Sequence, residues 1–116
     1  MSVAEQPIRI QVLRLRGELN LEDMLKIKAL VAEYLKAGLV HVVLNVENVS
    51  HMHLAGLPVL VERAQRLREY GGDLKLVGLT PYLSHILNLA GVAPQFDFCR
   101  NEEEASVRFS GIRAAA

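Results

Sequence analysis

The sequence lacks tryptophan, has one cysteine, Cys99, and carries no excess charge of either sign. Aromatic residues make up 5% of the chain, too few for the platforms on which single-strand binders stack bases. Thirteen Lys and Arg residues balance thirteen Asp and Glu residues, so bulk charge does not attract nucleic acid or an anionic membrane. A lone cysteine cannot form an internal disulfide, which favours a cytoplasmic protein. No nucleic-acid partner is expected.

Long hydrophobic runs are also missing. The 51% of hydrophobic residues never form 18 consecutive apolar positions, and the N-terminus lacks a basic segment followed by an apolar one. No membrane insertion is therefore expected. A length of 116 residues predicts one domain over 1–116, with a core at about 8–109 and a frayed tail from Arg113 onward.

The motifs of common enzyme sites are absent. There is no Gly-Lys-Ser/Thr segment to cradle a phosphate and no Gly-x-Ser-x-Gly nucleophile turn. The only glycine pair, Gly71-Gly72, follows a helical pattern instead of opening one. We therefore expect a protein that is not an enzyme, with no catalytic residues and no cofactor.

The first half of the chain begins with a strand pattern. Apolar and basic residues alternate from Ile8 to Arg16, with one slip at Val12-Leu13 that predicts a bulge or a join, and Gly17 is expected to end the strand. Arg14 and Arg16 are expected on a solvated strand face, or alternatively on an edge that docks a partner.

A helix is predicted from Leu21 to Lys36. Its apolar residues recur at three- and four-residue spacings, and Gly38 follows its end. Asn20 is placed to cap its first turn, with Asp23 as the partner in a capping box.

The rest of the chain alternates strands and helices, with Thr80 as the cap of the third helix. This order predicts an α/β fold with right-handed crossovers and a mixed sheet of about four to five strands with about four α-helices. The predicted elements are strands at Val40–Val46, Asp73–Val77 and Phe96–Phe98, and helices from Leu57 to Glu69, from Pro81 to about Ala90 and from Glu102 to about Phe109.

The candidate site is the turn between the predicted central strand and the second helix. Ligands of open α/β sheets meet the carboxyl ends of the strands, which places 47–56 at that edge. Residues 51–58 contain no hydroxyl, carboxylate or lysine. Asn45 is expected to form a hydrogen bond into the turn.

His51 and His53 form the one polar pair in this turn. Residues two apart in an extended segment point the same way and could share a metal ion, with Glu47 as the nearest further ligand. The alternative, which we favour, is a solvated or partner-facing surface, so no metal site is assigned.

Several segments in order resemble STAS domains. They are Val12-Leu13-Arg14-Leu15-Arg16-Gly17-Glu18-Leu19-Asn20, Val42-Val43-Leu44-Asn45-Val46, Ala55-Gly56-Leu57-Pro58-Val59-Leu60 and Gly71-Gly72-Asp73-Leu74-Lys75-Leu76-Val77-Gly78-Leu79-Thr80-Pro81. The resemblance spans about 8–105. STAS domains are the fold of bacterial anti-sigma factor antagonists and of sulphate-transporter tails, so it implies a single STAS-like α/β domain.

The resemblance also implies a site. In antagonists, a serine in an Asp-Ser-Ser-Gly-Leu turn is the phosphorylation switch, and aligning Gly56-Leu57 places Ala55 at the acceptor position. Family aspartates are matched by Asn20 and Asn45. A phosphate of charge about −1.5 to −2 cannot be added to an alanine methyl. The residues expected to bind a partner are Met52, His53, Leu54, Ala55, Gly56 and Leu57.

The function implied is an anti-sigma factor antagonist-like protein in signalling and transcription regulation. It would bind an anti-sigma factor or a related serine kinase-like protein, locked in the unphosphorylated form. Self-association is left open. The alternatives are a scaffold or accessory STAS subunit of a signalling or lipid-transport complex, and a ligand or metal sensor that uses His51 and His53.

Overall fold

The computed structural model describes the backbone of residues 8–115 and the side chains of residues 8–110. Four strands form one sheet in the order β1-β2-β3-β4, and every described pair is parallel. The fold class is confirmed, and the sheet is parallel where a mixed one was expected. The elements are β1 (Ile10–Leu19), α1 (Leu21–Lys36), β2 (His41–Met52), α2 (Leu57–Glu69), β3 (Asp73–Val77), α3 (Pro81–Leu89), β4 (Asp97–Cys99) and α4 (Glu102–Ala115).

Helices cover both faces of the sheet. The buried residues of α1, α2 and α3 join Val42, Leu44 and Val46 of β2 in the larger core. On the other face, Ala105 of α4 packs with Val43 and with residues of β3 and β4 in a smaller core. This division follows from the crossovers, because right-handed connections between consecutive neighbouring strands place α1, α2 and α3 on one side.

The helix caps predicted from the sequence are confirmed. The Asn20 side chain accepts from the backbone N–H of Asp23 at 2.8 Å, and the Asp23 carboxylate accepts from that of Asn20 at 3.0 Å. Thr80 accepts from the backbone N–H of Leu83 at 3.2 Å. These bonds satisfy N–H groups that a first helical turn leaves without partners.

The first strand differs from its prediction. It runs to Leu19, so Gly17 does not end it, and its register against β2 shifts between Arg14 and Arg16 and between Gly17 and Glu18 instead of at Val12-Leu13. Gly17 has a φ of +74°, a backbone conformation that glycine tolerates and that accommodates such an irregularity inside a strand.

The central strand is longer than predicted. β2 continues six residues past the predicted end at Val46, to Met52, because Glu18 and Leu19 of β1 pair with His51 and Met52. The chain end differs too: α4 passes Phe109 and its backbone is helical to Ala115, where a frayed tail was expected, while residues 1–7 and 116 lie outside the described part.

Lys75 of β3 is a buried charge beneath α4. Its ammonium group lies 2.5 Å from a carboxylate oxygen of Asp97, 3.4 Å from one of Asp73 and 4.6 Å from the ring centroid of Phe109. Only 8% of the Lys75 side chain is exposed. A buried charge is tolerated when it is paired in this way, so Lys75 joins two strands and α4.

Among the described helices, none combines the length and the apolar character that crossing a bilayer requires.

Candidate partner-binding turn

The turn that links β2 to α2 is short and tightly bonded. The backbone N–H of His53 donates to the carbonyl of Leu19 at 2.9 Å, and residues Leu54–Gly56 form one 3-10 turn that leads directly into α2. The backbone N–H of Gly56 donates to the carbonyl of His53 at 3.0 Å. The turn is therefore held to the end of β1 and to its own first residue.

His53 caps the turn. Its Nδ1 atom accepts a hydrogen bond from the backbone N–H of Ala55 at 3.1 Å. An Asp or Asn side chain commonly makes such a bond at the start of a helix. His53 thus supplies a ring-nitrogen acceptor at the position that corresponds to the aspartate when the Asp-Ser-Ser-Gly-Leu motif is aligned on Gly56-Leu57.

The predicted contact residues divide into exposed and buried ones. His53, Leu54 and Ala55 are exposed, and 56% of Leu54 is accessible. Met52 and Leu57 are fully buried in the larger core, and Gly56 is buried as well. These three therefore offer little surface to a partner, because strand alternation and helix periodicity turn Met52 and Leu57 inward.

Gly56 fixes the turn against α1. A Cβ atom at this position would overlap the side chain of Met24, which is itself fully buried. The absence of a side chain therefore allows the turn to pack directly on the first helix.

His51 and His53 do not share a metal site in the described residues. Nδ1 of His51 and the hydroxyl of Tyr82 on α3 share a hydrogen bond of 2.9 Å, while Nδ1 of His53 accepts from the Ala55 backbone. No group of three or more His, Cys, Asp or Glu residues within the described side chains could hold a metal ion. Tyr82 was not predicted, since its contact with His51 joins residues 31 positions apart.

Asn45 lies on the α4 face, and its side chain has two partners. Its carbonyl oxygen accepts from the backbone N–H of Glu47 at 3.0 Å, and its amide donates to the Glu102 carboxylate at 2.7 Å. The hydrogen bond expected from Asn45 into the turn reaches Glu47 of β2 and no residue of the turn itself. Two further hydrogen bonds, of 2.8 and 2.7 Å, join the Arg14 guanidinium to Glu102.

The Glu102 carboxylate therefore ties the start of α4 to β1 and β2. The hydrogen bonds from Arg14 and then from Asn45 hold the pKa of Glu102 below its ordinary value. Arg14 keeps 71% of its side chain exposed, in agreement with a solvated strand face, yet its partner lies 88 residues away.

We predict that Glu102→Gln lowers the free energy of unfolding at neutral pH by about 1 kcal/mol, since charge-assisted hydrogen bonds are lost and exposure reduces their worth. A carboxylate whose folded pKa is depressed stabilises above its unfolded pKa, and this contribution disappears as pH falls through the folded value. Urea unfolding measures the difference in free energy of unfolding between wild type and variant at neutral pH and at about pH 3. This difference should shrink at the lower pH, which lies below the ordinary glutamate pKa near 4.3. The exposed neighbour Glu103, changed to Gln, is the control, and an equal effect of both variants would contradict the assignment.

A family comparison agrees with this architecture. The STAS domain model matches residues 2–105, nearly the whole chain. The chain belongs to the STAS domain family. A curated relative of this STAS domain is BtrV of Bordetella bronchiseptica, a proposed anti-sigma factor antagonist, at 27% identity over 95 residues that cover 82% of each chain.

Solved structures show the same fold. A proposed anti-sigma factor antagonist from Thermotoga maritima matches with a TM-score of 0.78 and 22% identity, over 87% of both chains. SpoIIAA, a Bacillus cell fate determinant and anti-sigma factor antagonist, matches in its unphosphorylated form with a TM-score of 0.77 and 23% identity, over 95% of this chain and 96% of that one. Both likenesses establish the fold of this STAS domain.

Proposed function

We propose that this STAS domain is an anti-sigma factor antagonist that acts by binding a protein partner through the exposed turn His53–Ala55. The similarity to BtrV, a proposed anti-sigma factor antagonist, supports the antagonist class. The observation that carries the choice of surface is Leu54, a large apolar side chain that is 56% exposed on a turn held by backbone and cap bonds. A preorganised exposed apolar residue is well suited to a protein contact.

Ala55 makes the contact independent of phosphorylation at this turn. SpoIIAA has been solved in a phosphorylated and an unphosphorylated form. We take Ala55 to stand at the acceptor position of the family motif, and a methyl group has no oxygen to which phosphate could be transferred. The antagonist proposed here therefore stays in the form that binds its partner. That partner is an anti-sigma factor of the serine kinase class.

We predict that Ala55→Glu weakens binding at least tenfold, because it places an unpaired negative charge in a contact from which water is excluded. Purified kinase-class anti-sigma factors from the organism that encodes the chain are titrated with wild type and variant by calorimetry. Ala37→Glu is the matched control, since Ala37 is also exposed and caps the far end of α1, about 24 Å along the helix. Unchanged affinity of the Ala55→Glu variant would remove the turn from the interface.

Ala55→Ser tests the second half of the proposal. If the bound anti-sigma factor is a kinase that holds this turn, the serine variant should gain one phosphate in intact-mass spectrometry after incubation with ATP, and wild type should gain none. Phosphate on wild type would show that another residue is the acceptor. A partner that binds wild type and both Ala55 variants equally would instead favour a scaffold role.

A further inference from the structure

Two segments of the chain contain no Asp, Glu, Lys or Arg. They run from Asn48 to Val61 and from Leu76 to Phe96. At 22% charged residues overall, a segment as long as the second, 21 residues, would be expected to hold about four or five. The first segment contains the proposed contact turn, and the second contains all of α3.

The structure brings the two segments together. Tyr82, in the first turn of α3, shares the 2.9 Å hydrogen bond with His51, and their ring centroids are 5.9 Å apart. His51 lies two residues before the His53 cap. The surface of α3 is therefore continuous with the turn.

The outer face of α3 is exposed and carries no Asp, Glu, Lys or Arg. Leu83, Ile86 and Leu87 point into the core, and the exposed residues of the helix are Pro81, Tyr82, His85, Asn88 and Leu89. Tyr82 is 51% exposed and Leu89 is 73% exposed, more than any other large hydrophobic residue in the described part of the chain. These side chains extend the turn surface by about 10 Å along the helix.

The turn alone is too small for a stable contact. Specific interfaces bury about 800 Å² on each partner and use about 20–30 residues, whereas the turn exposes three. The contact must therefore continue on one of its flanks. Depletion of charged residues marks the core of an interface, with aromatic residues enriched there.

The opposite flank, on α1, has a different character. Leu25 is 46% exposed there, but charged residues alternate with the apolar ones, and Glu22 and Lys26 form an ion pair of 3.4 Å. Such a surface resembles the polar rim of an interface. The absence of charged residues therefore favours α3 over α1 as the surface on which the contact continues.

We infer that the partner contact proposed for the turn continues over the outer face of α3, through Tyr82, His85 and Leu89, and that the partner presents an uncharged apolar surface to it. This inference rests on the proposed function, and it adds the direction of the contact and the chemistry of the opposing surface.

The test introduces charge of either sign on each flank. Leu89→Lys and Leu89→Glu should each weaken binding of the purified kinase-class anti-sigma factor at least tenfold, because an uncharged surface cannot pair with either charge. Leu25→Lys and Leu25→Glu are the matched variants on α1 and should change affinity less than threefold. Circular dichroism checks the fold, which both exposed leucine positions should preserve.

Each outcome separates this inference from the proposal on which it rests. If Ala55→Glu weakens binding and both Leu89 variants bind as wild type, the inference is overturned and the turn contact stands. If one Leu89 variant binds more tightly, the opposing surface is charged and the inference is wrong. Greater losses at Leu25 than at Leu89 would place the contact over α1. If wild type binds none of the anti-sigma factors, the proposed function fails and the inference fails with it.

Discussion

Replacing Lys75 by methionine is expected to lower the free energy of unfolding by about 2–4 kcal/mol, because removal of one partner from a buried ion pair leaves the other charge uncompensated. Asp97 and Asp73 would each lose the ammonium group between them. Each keeps one arginine, Arg108 at 3.0 Å and Arg68 at 2.8 Å, which places the effect below that of a fully orphaned pair.

Urea unfolding of wild type and the Lys75→Met variant measures this effect. Lys36→Met is the matched control, because Lys36 forms a surface pair with Glu33 and keeps 77% of its side chain exposed. Such a pair contributes about 0–1 kcal/mol. An equal loss of unfolding free energy in both variants would show that the buried network under α4 contributes no more stability than a surface ion pair.

The Lys75→Met substitution should also change the pKa of His41. Burial, and after it the charge of Lys75, lowers the pKa of His41, while Asp73 acts in the opposite direction. The Lys75→Met variant should therefore have a higher His41 pKa in an NMR titration. Since the folded pKa is depressed, His41 stabilises the fold above its unfolded pKa, and that stability is lost as pH falls through the folded value.

Gly78→Ala is expected to destabilise by about 2–4 kcal/mol, the sum of a left-handed backbone cost and an overpacking cost. Gly78 follows β3 with a φ of +75°, and a Cβ atom there would lie 2.7 Å from Cβ of Glu47 and 3.1 Å from its backbone. The neighbouring atoms include the main chain of β2 at Glu47, so the clash cannot be relieved by rotating one side chain.

Gly38→Ala isolates the packing part of this effect. Gly38 has the same φ of +75°, but a Cβ atom at that position would meet nothing within 4 Å. Its variant should cost only the conformational part, about 1–2 kcal/mol. Thermal and urea unfolding of the two variants should therefore differ, and equal losses would mean that contact with Glu47 contributes nothing.

Local signals in the sequence were sufficient for most elements of the fold. The Asn20 and Thr80 caps, the apolar spacing of α1 and the β-branched residues of β2 depend on neighbours within a few positions, so they are visible without tertiary structure. The end of β2 cannot be located from such local signals. Glu47, Asn48 and Ser50 are exposed polar residues in a strand, and only pairing with β1 keeps this segment extended.

The candidate site was predictable in place but not in detail. The turn follows from the order of elements, whereas burial of Met52 and Leu57 depends on which face each turns to the core. The contacts of Glu102 with Arg14 and of Tyr82 with His51 join residues 88 and 31 positions apart. No local periodicity encodes such pairs, because they arise from how α4 and α3 pack on the sheet.

β3 is shorter than β1 and β2, and this difference in length determines how the site is supported by the sheet. β3 pairs with β2 only as far as Asn45, so residues 46–52 of β2 are joined by strand pairing to β1 alone within the described chain. The proposed contact turn thus stands at the tip of a two-stranded arm that projects beyond the four-stranded sheet. Since residues 46–52 have a strand partner on one side only, their amide hydrogens should exchange with solvent sooner than those of Val42–Leu44, which lie between two strands. Val46, Val49 and Met52 of the same segment lie in the larger core, so the turn is anchored by packing on the helices where the sheet no longer supports it.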